Sequence, residues 1–98
     1  MALAEKYVIL FQKECSELSK IVLNNLHNLA KKPHDKDSLE KMLQAADTII
    51  GDSRFINHKE LEQASMLLIK SFNEVEDASH KSKEIEFFTQ VFTKISNR

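Results

Sequence analysis

The side chains in this chain that could do chemistry are four histidines, one cysteine and a scatter of carboxylates. His58 and Glu62 stand one helical turn apart, as do His80 and Glu84, and two ligands of that kind make an incomplete metal site. At the same spacing they are ordinary side-chain pairs on solvated helix ends, and that is how they read here. The chain has no cysteine pair for zinc, no His-Glu-x-x-His, and no Glu-x-x-His pair of the di-iron bundle kind. Its single glycine rules out phosphate-cradling loops, which need several. Nothing local supports a catalytic Ser, His, Asp set. The chain is therefore expected to hold no metal and no cofactor, and not to be an enzyme.

Composition narrows the class further. Ninety-eight residues make one small domain, 1–98, with 42% hydrophobic and 30% charged residues, enough to bury a core. One Gly, one Pro and no Trp argue against a sheet-rich fold, and Leu, Ile, Phe and Met sit among Ala, Glu, Lys and Gln. That is a helical mixture. A formal net charge of −1, with both signs interspersed, gives no bulk attraction to nucleic acid or to an anionic membrane. Lone Cys15 cannot form an internal disulfide, Glu5 and Lys6 interrupt any signal-peptide pattern, and no stretch approaches the roughly 18 apolar residues of a membrane span. A cytoplasmic protein is expected, monomeric or weakly dimeric.

The elements follow from periodicity. Leu3, Tyr7, Leu10, Phe11, Leu18, Ile21, Val22, Leu26 and Leu29 recur at three- and four-residue steps and predict one helix over 3–31, with Cys15 near the stripe as a small buried hydrophobe and Asn25 at its boundary. Pro33 breaks it. Asp37 with Glu40 forms a capping-box pattern opening a second helix, whose inward stripe is Leu39, Met42, Leu43, Ala46, Ile49 and Ile50. Glu40, Gln44, Asp47, Thr48, Gly51 and Arg54 then fall on the outer side. A glycine costs about 1 kcal/mol against alanine in a helix, a cost unforced on an exposed face unless something approaches the backbone closely.

Asn57 is expected to start the third helix and is a residue that tolerates the left-handed backbone a tight corner needs. Leu61, Ala64, Leu67, Leu68, Phe72 and Val75 form the third stripe, with Met66 and Ile69 at its margins. The pattern fails around residues 76–79. It resumes from about His80 with Ile85, Phe88, Val91, Phe92 and Ile95 inward and Phe87 flanking. Four helices with short connections predict an all-α, antiparallel up-down-up-down four-helix bundle.

One stretch carries a family resemblance. Ala45-Ala46-Asp47-Thr48-Ile49-Ile50-Gly51 is followed by Arg54-Phe55-Ile56-Asn57 and then Lys59-Glu60-Leu61-Glu62, and upstream stands Phe11-Gln12-Lys13-Glu14-Cys15-Ser16-Glu17-Leu18. This frame resembles the histidine-containing phosphotransfer (HPt) domains, in particular the N-terminal phosphotransfer domains of chemotaxis histidine kinases. That family reads Ala-Ala-His-x-hydrophobic-Lys-Gly, with a second Gly six residues on and a Phe-x-x-Glu-x-x-Glu-Leu first helix. Here Asp47 stands at the phospho-accepting His position, Ile50 at the Lys position and Asn57 at the second Gly.

The resemblance implies a phosphorelay fold without its chemistry. Relay needs an imidazole nitrogen to take and return the phosphoryl group, and a cation to offset its charge. Asp47 and Ile50 supply neither. What the resemblance leaves is a docking surface of Gln44, Asp47, Thr48, Ile50, Gly51 and Arg54, on which Asp47 is a weak, fixed-charge stand-in for phosphohistidine. The implied partner is a response-regulator receiver domain or a histidine kinase, and the implied role is that of a non-catalytic adaptor or sequestering protein in a two-component signalling pathway. Two alternatives remain: an active relay using His58 or His80, or a structural, oligomerising bundle with Ile50 and Phe87 in a self-interface.

Overall fold

Cys15, Leu18, Val22, Leu26 and Leu29 step by three and four with no Gly or Pro before Pro33, so nothing interrupts the first helix. In a computed structural model, which describes residues 3–74 and 78–97, this stretch is α1 (Leu3–Lys31). It is followed by α2 (Lys36–Phe55), α3 (Lys59–Glu74) and α4 (Ala78–Ser96), with no strand among the described residues. α1 packs on α2 and α4, α3 packs on the same two, and among the described residues the backbones of the diagonal pairs stay apart. The result is a square, all-α four-helix bundle. No helix of the described residues is long and apolar enough to cross a membrane.

The helix ends correct the capping expectations. Pro33 stops α1 at Lys31 as expected, and the short turn behind it closes with the Asp35 N–H donating to the Lys32 carbonyl at 3.1 Å. Asp35, not Asp37, is therefore the N-cap of α2. Its carboxylate accepts from the Ser38 N–H at 3.4 Å and from the Ser38 hydroxyl at 3.0 Å, which also holds its pKa below the ordinary value. Asp37 pairs instead with Lys41 at 2.9 Å on the surface.

At the next corner His58 takes the role expected of Asn57, its Nδ1 accepting from the Leu61 N–H at 3.3 Å. Asn57 does adopt left-handed backbone, at φ 58°. The His58 N–H donates to the Ser53 carbonyl at 2.8 Å and the Asn57 N–H to that of Arg54 at 3.2 Å, the crossed pair that ends a helix at a left-handed residue. The last helix begins at Ala78, before the expected His80, so Ala78 and Ser79 are helical. The remainder of the expected turn, and Val75, lie outside the described residues.

The core is centred on Val22, Leu26, Met42, Ile49, Leu68, Phe88 and Phe92, all without solvent exposure, with Phe72 against Phe88 at 6.1 Å. Cys15 is buried as expected. Asn25 is buried too, and satisfies its amide by donating from Nδ2 to the Ile21 carbonyl at 2.8 Å. Four residues expected inward are exposed: Tyr7, Leu10, Ile21 and Leu67. A helix turns a limited stripe towards a core, and Ile21 and Leu67 lie beyond its edge, with Met66 exposed beside Leu67. Tyr7 and Leu10 are exposed because α1 is longer than the helices it packs on.

The corner at Asn57 yields a direct test. Asn57→Val should lower stability in urea unfolding by about 1–2 kcal/mol, the cost of left-handed backbone for a branched residue, while Asn57→Gly should be neutral or better.

Candidate functional site

Three- and four-residue spacing lines up Gln44, Asp47, Thr48, Gly51 and Arg54 along α2, and all five are exposed, with Ile50 half-buried beside them. The Thr48 hydroxyl is turned back onto the helix, donating to the Gln44 carbonyl at 3.2 Å. Among the described residues Asp47 has no hydrogen-bond or ion-pair partner, so its charge faces solvent alone. Arg54 is not free. Its Nε donates to the Glu62 carboxylate of α3 at 2.6 Å, and Nη2 approaches the Met66 sulfur at 3.9 Å.

Gly51 sits within α2, does not have positive φ, and a Cβ added there would meet nothing within 4 Å. Neither backbone conformation nor packing inside this chain requires a glycine. Beside the strip, α1 and α2 leave an open groove of about 510 Å³, lined on one side by Ile21 and Asn24 and on the other by Lys41, Gln44 and Thr48. Ile21 and Lys41 extend the face beyond what the sequence indicated. Ile21 is concealed in the sequence because its spacing also fits the core stripe of α1.

Directly under this face lies an acidic contact that the motif does not point to. Asp52 is 9% exposed, its Oδ2 finds no donor, and its carboxyl faces that of Glu14 on α1. Burial first, then the hydrogen bond to Glu14 and that group's negative charge, push the Asp52 pKa up to about 6. A proton held on Asp52 makes that hydrogen bond possible. Burial, with the charges of Asp52 and Glu14 added, also raises the neighbouring Cys15 thiol to about 11, so this cysteine is no thiolate nucleophile. The spacing of Met42, Ala45, Ile49 and Asp52 is the one sequence signal that places Asp52 on the buried stripe.

Among the described residues the histidines are not gathered into a metal site. His58 lies at the α2–α3 corner, half-buried, with Nδ1 engaged by the Leu61 N–H. It lines a cavity of about 210 Å³ with Gln12, Cys15, Ser16 and Ile95 rather than the α2 face. His80 falls within α4, its side chain outside what is described. Among the described residues no group of three or more His, Cys, Asp or Glu side chains could hold a metal ion. No protein-family model, no curated protein and no solved structure matches this chain.

Two measurements probe this geometry. Gly51→Ala should stabilise the fold by about 0.5–1 kcal/mol in chemical unfolding, because alanine removes backbone entropy from the unfolded chain and meets no neighbour. Asp52 has a folded pKa raised above its unfolded value, so its contribution to stability is complete below about pH 4 and is lost as pH rises through about 6. Asp52→Asn should therefore flatten the fall in Tm between about pH 5 and pH 7.5, since the amide can donate to Glu14 at every pH.

Proposed function

We propose that this chain is a pseudo-phosphotransfer module: an HPt-like bundle that binds a receiver domain or a histidine kinase through the exposed side of α2 without exchanging phosphoryl groups. The observation that carries it is Gly51. A helix glycine that no internal contact requires stands at the centre of the strip Gln44, Asp47, Thr48, Gly51, in the position where the resembling family keeps one for close approach of a partner.

The chemistry of the strip supports a non-catalytic role. Asp47 offers a carboxylate where relay needs an imidazole, and Ile50 offers no charge where relay needs a cation. Arg54, the cation on the same strip, is held by Glu62. A fixed negative charge at Asp47 beside an unobstructed backbone suits a sequestering or scaffolding partner, and a lone buried cysteine suits a reducing cytoplasm. The capping hydrogen bond at His58 weighs against that imidazole as a replacement phosphoryl carrier.

Titration calorimetry against a panel of purified receiver domains and histidine kinases tests this. At least one should bind wild type with a micromolar Kd, and Asp47→Arg should weaken it tenfold or more, about 1.4 kcal/mol. Radiolabelled phosphoryl groups should stay on the receiver. Transfer onto this chain, or equal binding by the variant, would sink the proposal.

A further inference from the structure

On α1, Gln12, Cys15, Ser16 and Ser19 stand at steps of three and four residues. At 100° per residue they fall within an arc of about 100°, the width of stripe that a bundle helix turns to its core. The same side of α1 continues as Val22, Leu23 and Leu26, which pack into that core. For the two turns before them, small and polar side chains occupy positions where the next turns carry leucine or valine. The space they leave unfilled is the cavity of about 210 Å³ where α1 meets the α2–α3 corner and the last turn of α4.

The cavity is polar at its floor and apolar on its walls. Cys15, Ser19 and Leu61 are buried in it, Ile56, His58 and Ile95 are half-buried, and Gln12, Ser16 and Ser96 form an exposed mouth. Ser19 is 3% exposed, and its hydroxyl has no hydrogen-bond partner among the described residues. A buried hydroxyl without a partner is costly, so whatever enters and bonds to it is favoured. Water can bond to it too, but water leaves Ile56, Leu61 and Ile95 wetted.

The lining also selects by charge. No Lys, Arg, Asp or Glu lines the cavity. Burial, with the charges of Asp52 and Glu14 behind the floor, keeps Cys15 a neutral thiol, and those same charges disfavour an anion. The His58 Nδ1 accepts from the Leu61 N–H, which leaves Nε2 of the neutral ring as a donor, and the thiol is a donor as well. Two donors of this kind call for an acceptor on the ligand, while Ser19 and Gln12 can donate or accept. A cation would surrender its water to them with no carboxylate in the lining to pair with.

We infer that this cavity binds a small uncharged molecule with an amide or hydroxyl head and a short apolar tail. The head bonds to Ser19 and His58, and the tail lies on Ile56, Leu61 and Ile95. At about 210 Å³ the cavity is smaller than the roughly 300–1,000 Å³ of pockets for drug-sized ligands, so the ligand has only a handful of heavy atoms. None of the exposed α2 strip lines it, so the site is separate from the docking face.

Three probes of one branched skeleton separate the charge classes: isobutyramide, isobutyrate and isobutylammonium. In heteronuclear NMR spectra of the full chain, isobutyramide should shift the Cys15, Ser19, His58 and Leu61 amide resonances saturably, with a Kd of about 1 mM. Either charged probe should bind about tenfold more weakly, or worse. Ser16→Leu, at the exposed mouth, should keep the helical circular dichroism and abolish these shifts. Ser19→Ala should weaken isobutyramide about threefold or more by removing the unpaired hydroxyl. Asp47→Arg should leave binding unchanged. No saturable shift, which would mean a cavity for water alone, overturns the inference. So does equal binding of a charged probe, full binding by Ser16→Leu or Ser19→Ala, or loss of binding in Asp47→Arg.

Discussion

Each of the four helices can turn only a limited stripe of its surface inward, and the molecule follows from how those four stripes meet. Each helix packs on two neighbours, and the stripes converge on Leu26, Met42, Ile49, Leu68, Phe88 and Phe92. Once those are buried, the outer side of α2 must face solvent, whatever residues occupy it. The same constraint leaves the first turns of α1 uncovered, because the other helices end before they can reach them. Both exposed faces are thus consequences of helix length and register rather than of special local chemistry.

The acidic contact beneath α2 is the one place where the core is not apolar by composition. A carboxyl buried beside another carboxyl is disfavoured in its charged form, and this is what raises the Asp52 pKa. The contact lies between α1 and α2, one residue from Gly51 and on the face opposite the exposed strip. Cys15, close by, is silenced by the same burial and the same charges. The interior polar chemistry described here thus sits at the packing of α1 against α2.

The exposed strip is informative through what it lacks. Asp47 is unpaired, Gly51 is unforced by packing, and Arg54 is committed to Glu62. A helix glycine in this open position costs about 1 kcal/mol against alanine with no packing reason inside the chain. That unforced cost is what gives the docking proposal physical content. The α1 end differs in kind. It is aromatic and aliphatic, and it lies at one end of the bundle.

Much of the fold was legible in the residues themselves. The limits of α1 follow from an uninterrupted apolar period ended by Pro33, and the left-handed corner from an Asn after an apolar pair. The outward placement of Gln44, Asp47, Thr48 and Gly51 follows from the 3.6-residue repeat alone. Periodicity is a local property and could not say how far each neighbour extends, so Tyr7 and Leu10 read as core although both stand about half exposed. Nor could it choose between Asp35 and Asp37 or between Asn57 and His58 as caps, since each choice depends on where the preceding turn closes. The Asp52–Glu14 contact lies beyond sequence altogether. Two acids 38 residues apart become a pair only when α1 and α2 pack antiparallel, and it is that burial which raises the Asp52 carboxyl.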